Sequence, residues 1–347
     1  MTQAGIDFVV LTGFLGSGKT TLLREFLGTD EAGETAIIVN EVGEIGLDGA
    51  LLREAGGDVA MTMLANGCVC CQVGTDLTLT VESLLAAPRP DSARPLRRIV
   101  LETSGLSKPG PVLRQIAPLA SHRMRLSVVA TFDAARGPET QTFEEAAAQW
   151  AGAHRIVVTK LDTMPEARLA EAASEVALVN PLAEVVALRY RSAASRAAFA
   201  PPLPGALSLW PDPHAQPGRA AGPHPRMTTF LLRQSAAIRY DDLAEWLDNL
   251  AGALGDRLLR LKGLIQVAES DRPLLVQSVG TVFSQPRAFG GVPPAGGSFL
   301  VVIGRDLAAD EIEAVLPRLP LELGRGTAFV SNATASLGRR SLRAEAV

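Results

Sequence analysis

Gly13-Phe14-Leu15-Gly16-Ser17-Gly18-Lys19-Thr20 has the spacing of a loop that wraps a phosphate chain. Glycines let the backbone curl until successive N–H groups point at phosphate oxygens. A helix opening straight after the loop adds the positive end of its dipole. Lys19 has the reach for the β- and γ-phosphates, and the Thr20 hydroxyl suits Mg²⁺. A chain of this composition would match the pattern by chance roughly 0.003 times. Gly13, Gly16, Ser17, Gly18, Lys19, Thr20 and the following Thr21 are therefore expected nucleotide contacts.

Two further segments extend the site. Arg98-Ile99-Val100-Leu101-Glu102 is an apolar run ending in a carboxylate, with Gly105 three residues on. Glu102 is placed to hold Mg²⁺ directly or through water, and the Gly105 N–H to meet the γ-phosphate. Thr159-Lys160-Leu161-Asp162 follows another apolar run. Its carboxylate would accept hydrogen bonds from guanine N1–H and the exocyclic amine, a donor pair adenine lacks. Such charge-assisted bonds contribute about 1.5–3 kcal/mol each, enough to select GTP over ATP. Lys160 would lay its stem along the base. The plainer alternative for Asp162 is a cap on the helix that follows.

The three cysteines, Cys68, Cys70 and Cys71, fall within four residues, next to Gly67. Three thiolates in a tight loop select Zn²⁺, Cu⁺ or a similar soft ion over Mg²⁺, with zinc the default and cobalt (Co²⁺) next, and leave a fourth position for an exchangeable ligand. The alternative is buried free thiols packing as small apolar residues. A disulfide framework would scatter an even number along the chain, so the cluster reads as cytoplasmic thiolate chemistry. His122 and His154 stand alone and read as ordinary structural or surface histidines.

The 347 residues are 47% apolar and 20% charged, the composition of a globular chain with a sizeable core. A net charge of −4 argues against a nucleic-acid partner. No apolar run approaches the ~18 residues of a membrane span, and Met1–Asp7 lacks a basic signal region. Of 33 basic residues only Lys19, Lys108, Lys160 and Lys262 are lysine, which points to places where a compact ammonium is needed.

The elements that must position these groups are legible as alternation. Apolar, β-branched runs at Ile6–Thr12, Thr35–Asn40, Arg98–Glu102, Leu126–Phe132, Arg155–Thr159 and Glu184–Leu188 are separated by helical stretches such as Thr20–Leu27, Glu139–Trp150 and Pro165–Val179. That pattern predicts an α/β P-loop NTPase fold with a mostly parallel sheet over residues 1–200. Eight prolines between Ala200 and Arg226 mark a linker, 201–226. Strands expected at Met227–Arg233, Leu258–Glu269, Leu274–Phe283 and Ser298–Gly304, with helices at Tyr240–Leu250 and Ala309–Leu316, predict a smaller α+β domain over 227–337. A polar tail, 338–347, follows.

The order GFLGSGKTT, Asn40-Glu41-Val42-Gly43, GCVCC, ETSGL and TKLD resembles the CobW-like GTPases, a family linked to metal trafficking and related to the urease and hydrogenase nickel-insertion GTPases. Arg260-Leu261-Lys262-Gly263-Leu264 and Leu300–Ala308 resemble that family's C-terminal domain. The resemblance spans about residues 5–330. It implies GTP hydrolysis, metal binding by the cysteine loop in a nucleotide-dependent way, and a place for Glu41 in the first switch, near nucleotide and metal. It also implies a client metalloprotein or metal-cofactor enzyme as partner. Two features depart from the pattern. Thr159 replaces the usual Asn, a variant shared with signal-recognition GTPases, and the linker carries only His214 and His224 where many members are His-rich. A regulatory or assembly GTPase with structural or redox-sensing cysteines is the alternative. Monomer and homodimer both remain open.

Overall fold

A computed structural model describes residues 5–40, 60–63, 75–87, 94–122, 124–201, 226–291, 297–315 and 319–323. The cysteine loop, Glu41, most of the proline-rich linker and the tail lie outside these residues. The chain divides into two compact units, the first closing at Pro201 and the second running beyond it, with Ala173–Ala183 grouped with the second.

The first unit is built on seven strands: β1 (Asp7–Gly13), β2 (Thr35–Val39), β3 (Ala60–Met63), β4 (Arg98–Glu102), β5 (Arg125–Asp133), β6 (Arg155–Thr159) and β7 (Glu184–Val186). Their order in the sheet is β3-β2-β4-β1-β5-β6-β7. Every pairing is parallel, which sharpens the expected mostly parallel sheet. Continuous apolar sequence explains this: β2 and β4 are buried at every residue, so both sheet faces need helical cover.

The helices are α1 (Lys19–Leu27), α2 (Thr75–Ala86), α3 (Pro109–Ile116), α4 (Glu144–Gly152), α5 (Ala167–Val179) and α6 (Arg191–Phe199). On one face, α1 and α6 meet through Phe26 and Phe199, with ring centroids 4.5 Å apart. Val9, Leu11, Val100, Val129 and Val157 supply the strand side of that core. On the other face, Trp150 of α4 packs on Phe132 of β5 at 4.9 Å. β1 lies between β4 and β5, and the connections that follow the neighbouring strands β1 and β4 leave in opposite directions, towards β2 and towards β5. Ligand crevices of open parallel sheets form beyond the strand C-termini at such a point.

The helix expected over Glu139–Trp150 is shorter. Gly137 at φ 50° and Pro138 open a 3₁₀ turn, Gly137–Thr142, and Phe143 goes extended before α4 begins.

The second unit is an antiparallel sheet of β8 (Met227–Gln234), β9 (Leu258–Ile265), β10 (Leu274–Val279), β11 (Val282–Phe283), β12 (Arg287–Ala288), β13 (Phe299–Arg305) and β14 (Leu321–Leu323). The strand expected over Leu274–Phe283 is a hairpin, turned at Gly280. Helices α7 (Tyr240–Leu254) and α8 (Ala309–Ala314) accompany it. Leu243, Trp246, Leu247, Leu250 and Leu254 form one stripe of α7 and pack with Leu232, Leu261, Leu300 and Val302. Each fully buried leucine of that stripe contributes about 1.5–3 kcal/mol.

Candidate nucleotide site

β1 delivers the chain to Gly13, whose φ of 143° and surroundings exclude a side chain: a Cβ there would lie 2.0 Å from Thr131 Oγ1. Ser17 Oγ, 2.6 Å from that same Thr131 hydroxyl, donates to Phe14 O at 2.6 Å and closes the loop on itself. Gly18 then enters α1 in the left-handed conformation with no side-chain cap, and the first turn carries no acid. The leading N–H groups of α1 are thus offered to an anion. Lys19 Nζ donates to Gly13 O at 2.8 Å and Phe14 O at 3.3 Å, so its ammonium sits inside the curl of the loop. Thr21 is half-buried on the same helix.

β4 runs beside β1 with Leu11 opposite Glu102. Glu102 is buried, and its Oε1 accepts the Thr20 hydroxyl at 2.7 Å. Two hard oxygens at hydrogen-bond distance, next to the loop lysine, make a donor set that fits Mg²⁺. Beyond the strand, Gly105 presses on the phosphate loop: a Cβ there would lie 2.5 Å from Leu15 Cδ2 and 2.8 Å from Leu15 N. The Gln149 amide of α4 donates to Gly105 O at 2.9 Å and to Ser107 O at 3.0 Å. Lys108 pairs with Glu144.

At the other end, Thr159 Oγ1 lies 2.7 Å from Ser17 O and 3.1 Å from Phe132 O, so β6 is tied to the phosphate loop. Lys160 takes the left-handed conformation at φ 62°. Its Nζ donates to Asp133 Oδ2 at 2.6 Å. The other oxygen of this buried carboxylate accepts the N–H groups of Ala135 (2.9 Å) and Arg136 (3.3 Å). Arg136 Nη1 in turn donates to Leu15 O at 3.1 Å. Asp162 Oδ2 accepts Arg191 Nε at 3.1 Å and Nη2 at 2.8 Å, and its side chain remains partly exposed.

The loop residues, Thr20, Glu102, Gly105, Thr159, Lys160 and Asp162 all lie at or just beyond strand C-termini of one parallel sheet. A triphosphate, its Mg²⁺ and a base could be held along that edge. Glu41, Cys68, Cys70 and Cys71 fall outside the described residues, as do His214 and His224. Among the described residues no group of three or more His, Cys, Asp or Glu could hold a metal ion, and no helix is long and apolar enough to cross a membrane. His154 Nδ1 accepts the Val128 N–H at 3.0 Å, a structural role.

Sequence reasoning missed Thr131, Asp133, Arg136, Gln149 and Arg191. The one available signal was Asp133, an acid at the end of an apolar run in the manner of Glu102.

The family model described as CobW/HypB/UreG, nucleotide-binding domain, matches residues 7–187, and the cobalamin synthesis protein cobW C-terminal domain matches 227–319. Zinc chaperone YjiA of Escherichia coli K12 is 28% identical over 324 residues, covering 90% of this chain and 98% of its own. Zinc chaperone CobW of Pseudomonas aeruginosa is 30% identical over 352 residues, covering 88% of this chain and 89% of its own. The crystal structure of Zn(II)-bound YjiA GTPase from E. coli shares the fold, with a TM-score of 0.62 and 23% identity over 91% of this chain and 99% of that one. The chain belongs to the CobW/HypB/UreG family of P-loop GTPases.

Proposed function

We propose that this GTPase is a cytoplasmic metallochaperone that carries zinc, with cobalt the next choice, on Cys68, Cys70 and Cys71 and delivers it to a client metalloprotein or cofactor enzyme. The observation that carries the reading is the Thr20–Glu102 contact of 2.7 Å, which brings an Mg²⁺ donor set to the phosphate loop of a chain whose cysteine loop lies between Glu41 and Gly105 in sequence. Relatives along nearly the whole chain are named zinc chaperones.

In this reading Lys19 and the α1 N-terminus hold the phosphates, Thr20 and Glu102 hold Mg²⁺, and Asp162 takes the guanine edge. Mg²⁺ supplies charge neutralisation at the β- and γ-phosphates. Glu41 and Gly105 feel the γ-phosphate, and their ordering draws the thiolates into coordinating geometry. Hydrolysis to GDP and phosphate releases the ordering and loosens the metal. Driving a site from 1:99 to 99:1 requires about 5.5 kcal/mol of differential binding. No glutamine lies between Glu102 and Lys108 to orient water, so unassisted turnover on the order of 10⁻³ s⁻¹ is expected.

The test is Zn²⁺ or Co²⁺ titration of protein loaded with a non-hydrolysable GTP analogue and with GDP, repeated on Cys70→Ser. Tighter metal binding in the triphosphate state, lost in the variant, is expected. Equal affinity in both states refutes the chaperone reading, because the nucleotide then does no work on the metal.

A further inference from the structure

Helix α4 contributes three contacts to the segments around the phosphates. Phe143, at its N-cap, stacks on Phe14 of the phosphate loop with centroids 4.7 Å apart. Glu144 pairs with Lys108. Gln149, fully buried, gives both amide hydrogens to the loop after β4, at Gly105 O and Ser107 O. Two carbonyls within 3.0 Å can be met only by the NH₂ group, so the amide's orientation is fixed by its partners. Its Oε1 is buried and takes no hydrogen bond among the described residues. An amide with one unsatisfied atom is a costly choice in a buried stretch whose other residues are alanines, Trp150 and Gly152, and what it gains is the pair of bonds to that loop.

Those bonds have a directional consequence. Turning the Gly105 carbonyl toward α4 points the N–H of the same peptide, that of Leu106, the opposite way, where it meets Ser104 Oγ at 3.3 Å. The loop is thereby held with Gly105 against Leu15 of the phosphate loop. We infer that Gln149 is a positioning residue for triphosphate sensing: it presets the Gly105 loop so that a γ-phosphate is met by a formed donor site. This rests on the reading of Gly105 as a γ-phosphate contact. The γ-phosphate is what separates GTP from GDP, so the loss on changing Gln149 falls mainly on triphosphate binding.

The test uses the full chain with Mg²⁺ and no added zinc. Affinity for a non-hydrolysable GTP analogue and for GDP is measured on wild type, Gln149→Leu and the volume-conserving Gln149→Met, with thermal melts of each ligand-free protein. The expected result is a loss of about tenfold for the analogue with GDP unchanged within about twofold. Parallel losses for both nucleotides, or no loss for either, overturn the inference, as does failure of both variants to fold, which would make Gln149 a core determinant. If wild type itself binds the two nucleotides equally, the Gly105 reading fails on its own account.

Discussion

Thr159 stands where the guanine-reading pattern usually has Asn, and its hydroxyl touches no base-facing group. It lies 2.7 Å from Ser17 O and 3.1 Å from Phe132 O. Thr159→Val keeps the branched shape that packs 3.5 Å from a Cβ position on Gly18 and removes only the donor. One hydroxyl has one proton, so a single bond is lost, the shorter one to Ser17 O. Ser17 is 2% exposed, so its carbonyl has no ready water to replace the threonine. Leaving such an acceptor unsatisfied costs about 1–3 kcal/mol, or roughly 5- to 150-fold in an equilibrium constant. The loss is shared between a lower melting temperature and weaker nucleotide binding. Because the contact supports the phosphate loop and not the base, GTP, GDP and ATP should all weaken by the same factor. Fluorescent-nucleotide titrations of the three ligands measure this directly. A change in the GTP-to-ATP preference beyond about threefold (~0.7 kcal/mol), with GDP affinity intact, would refute the reasoning and return base recognition to Thr159.

Two other perturbations follow from the same geometry. Glu102→Gln keeps the hydrogen bond to Thr20 but removes the charge behind the Mg²⁺ donor set, so Mg²⁺ dependence of nucleotide binding should shift by about 10- to 100-fold, read from titrations at varied free Mg²⁺. In the second unit, the Arg226 guanidinium bonded to Asp306 holds that carboxyl below its usual range, and the Ala308 N–H and Arg257 do the same for Glu311. Carboxyls lowered by folding stabilise the native state above their ordinary range and lose that contribution as pH falls below that range and through the depressed folded-state value. Melting temperature should therefore drop more between neutral and acid pH in wild type than in Asp306→Asn, and identical profiles would show the pair contributes nothing.

The strands that carry the site were legible because burial on both faces forces continuous apolar sequence. Arg98–Glu102 and Arg155–Thr159 begin and end where that pattern predicts. β3 escaped because Ala60-Met61-Thr62-Met63 is short and poor in β-branched residues. α3 went unanticipated: it begins at Pro109, a residue that breaks helix interiors but is well placed at a helix start. Asp133 and Gln149 belong to no motif. Asp133 matters because parallel register sets it opposite Thr159, and Gln149 because α4 crosses under the loop after β4. Such adjacency is a property of the assembled sheet and leaves no spacing along the chain.

The Asp133 carboxylate joins two territories that a chemist would wish to redesign separately. It anchors Lys160 on one oxygen and the turn bearing Arg136 on the other, and Arg136 reaches the phosphate loop at Leu15. Retargeting this enzyme to another purine by exchanging residues 160–162 alone would disturb a shared counter-ion. The disturbance would surface at the far end of the ligand, in how the protein grips polyphosphate of any base.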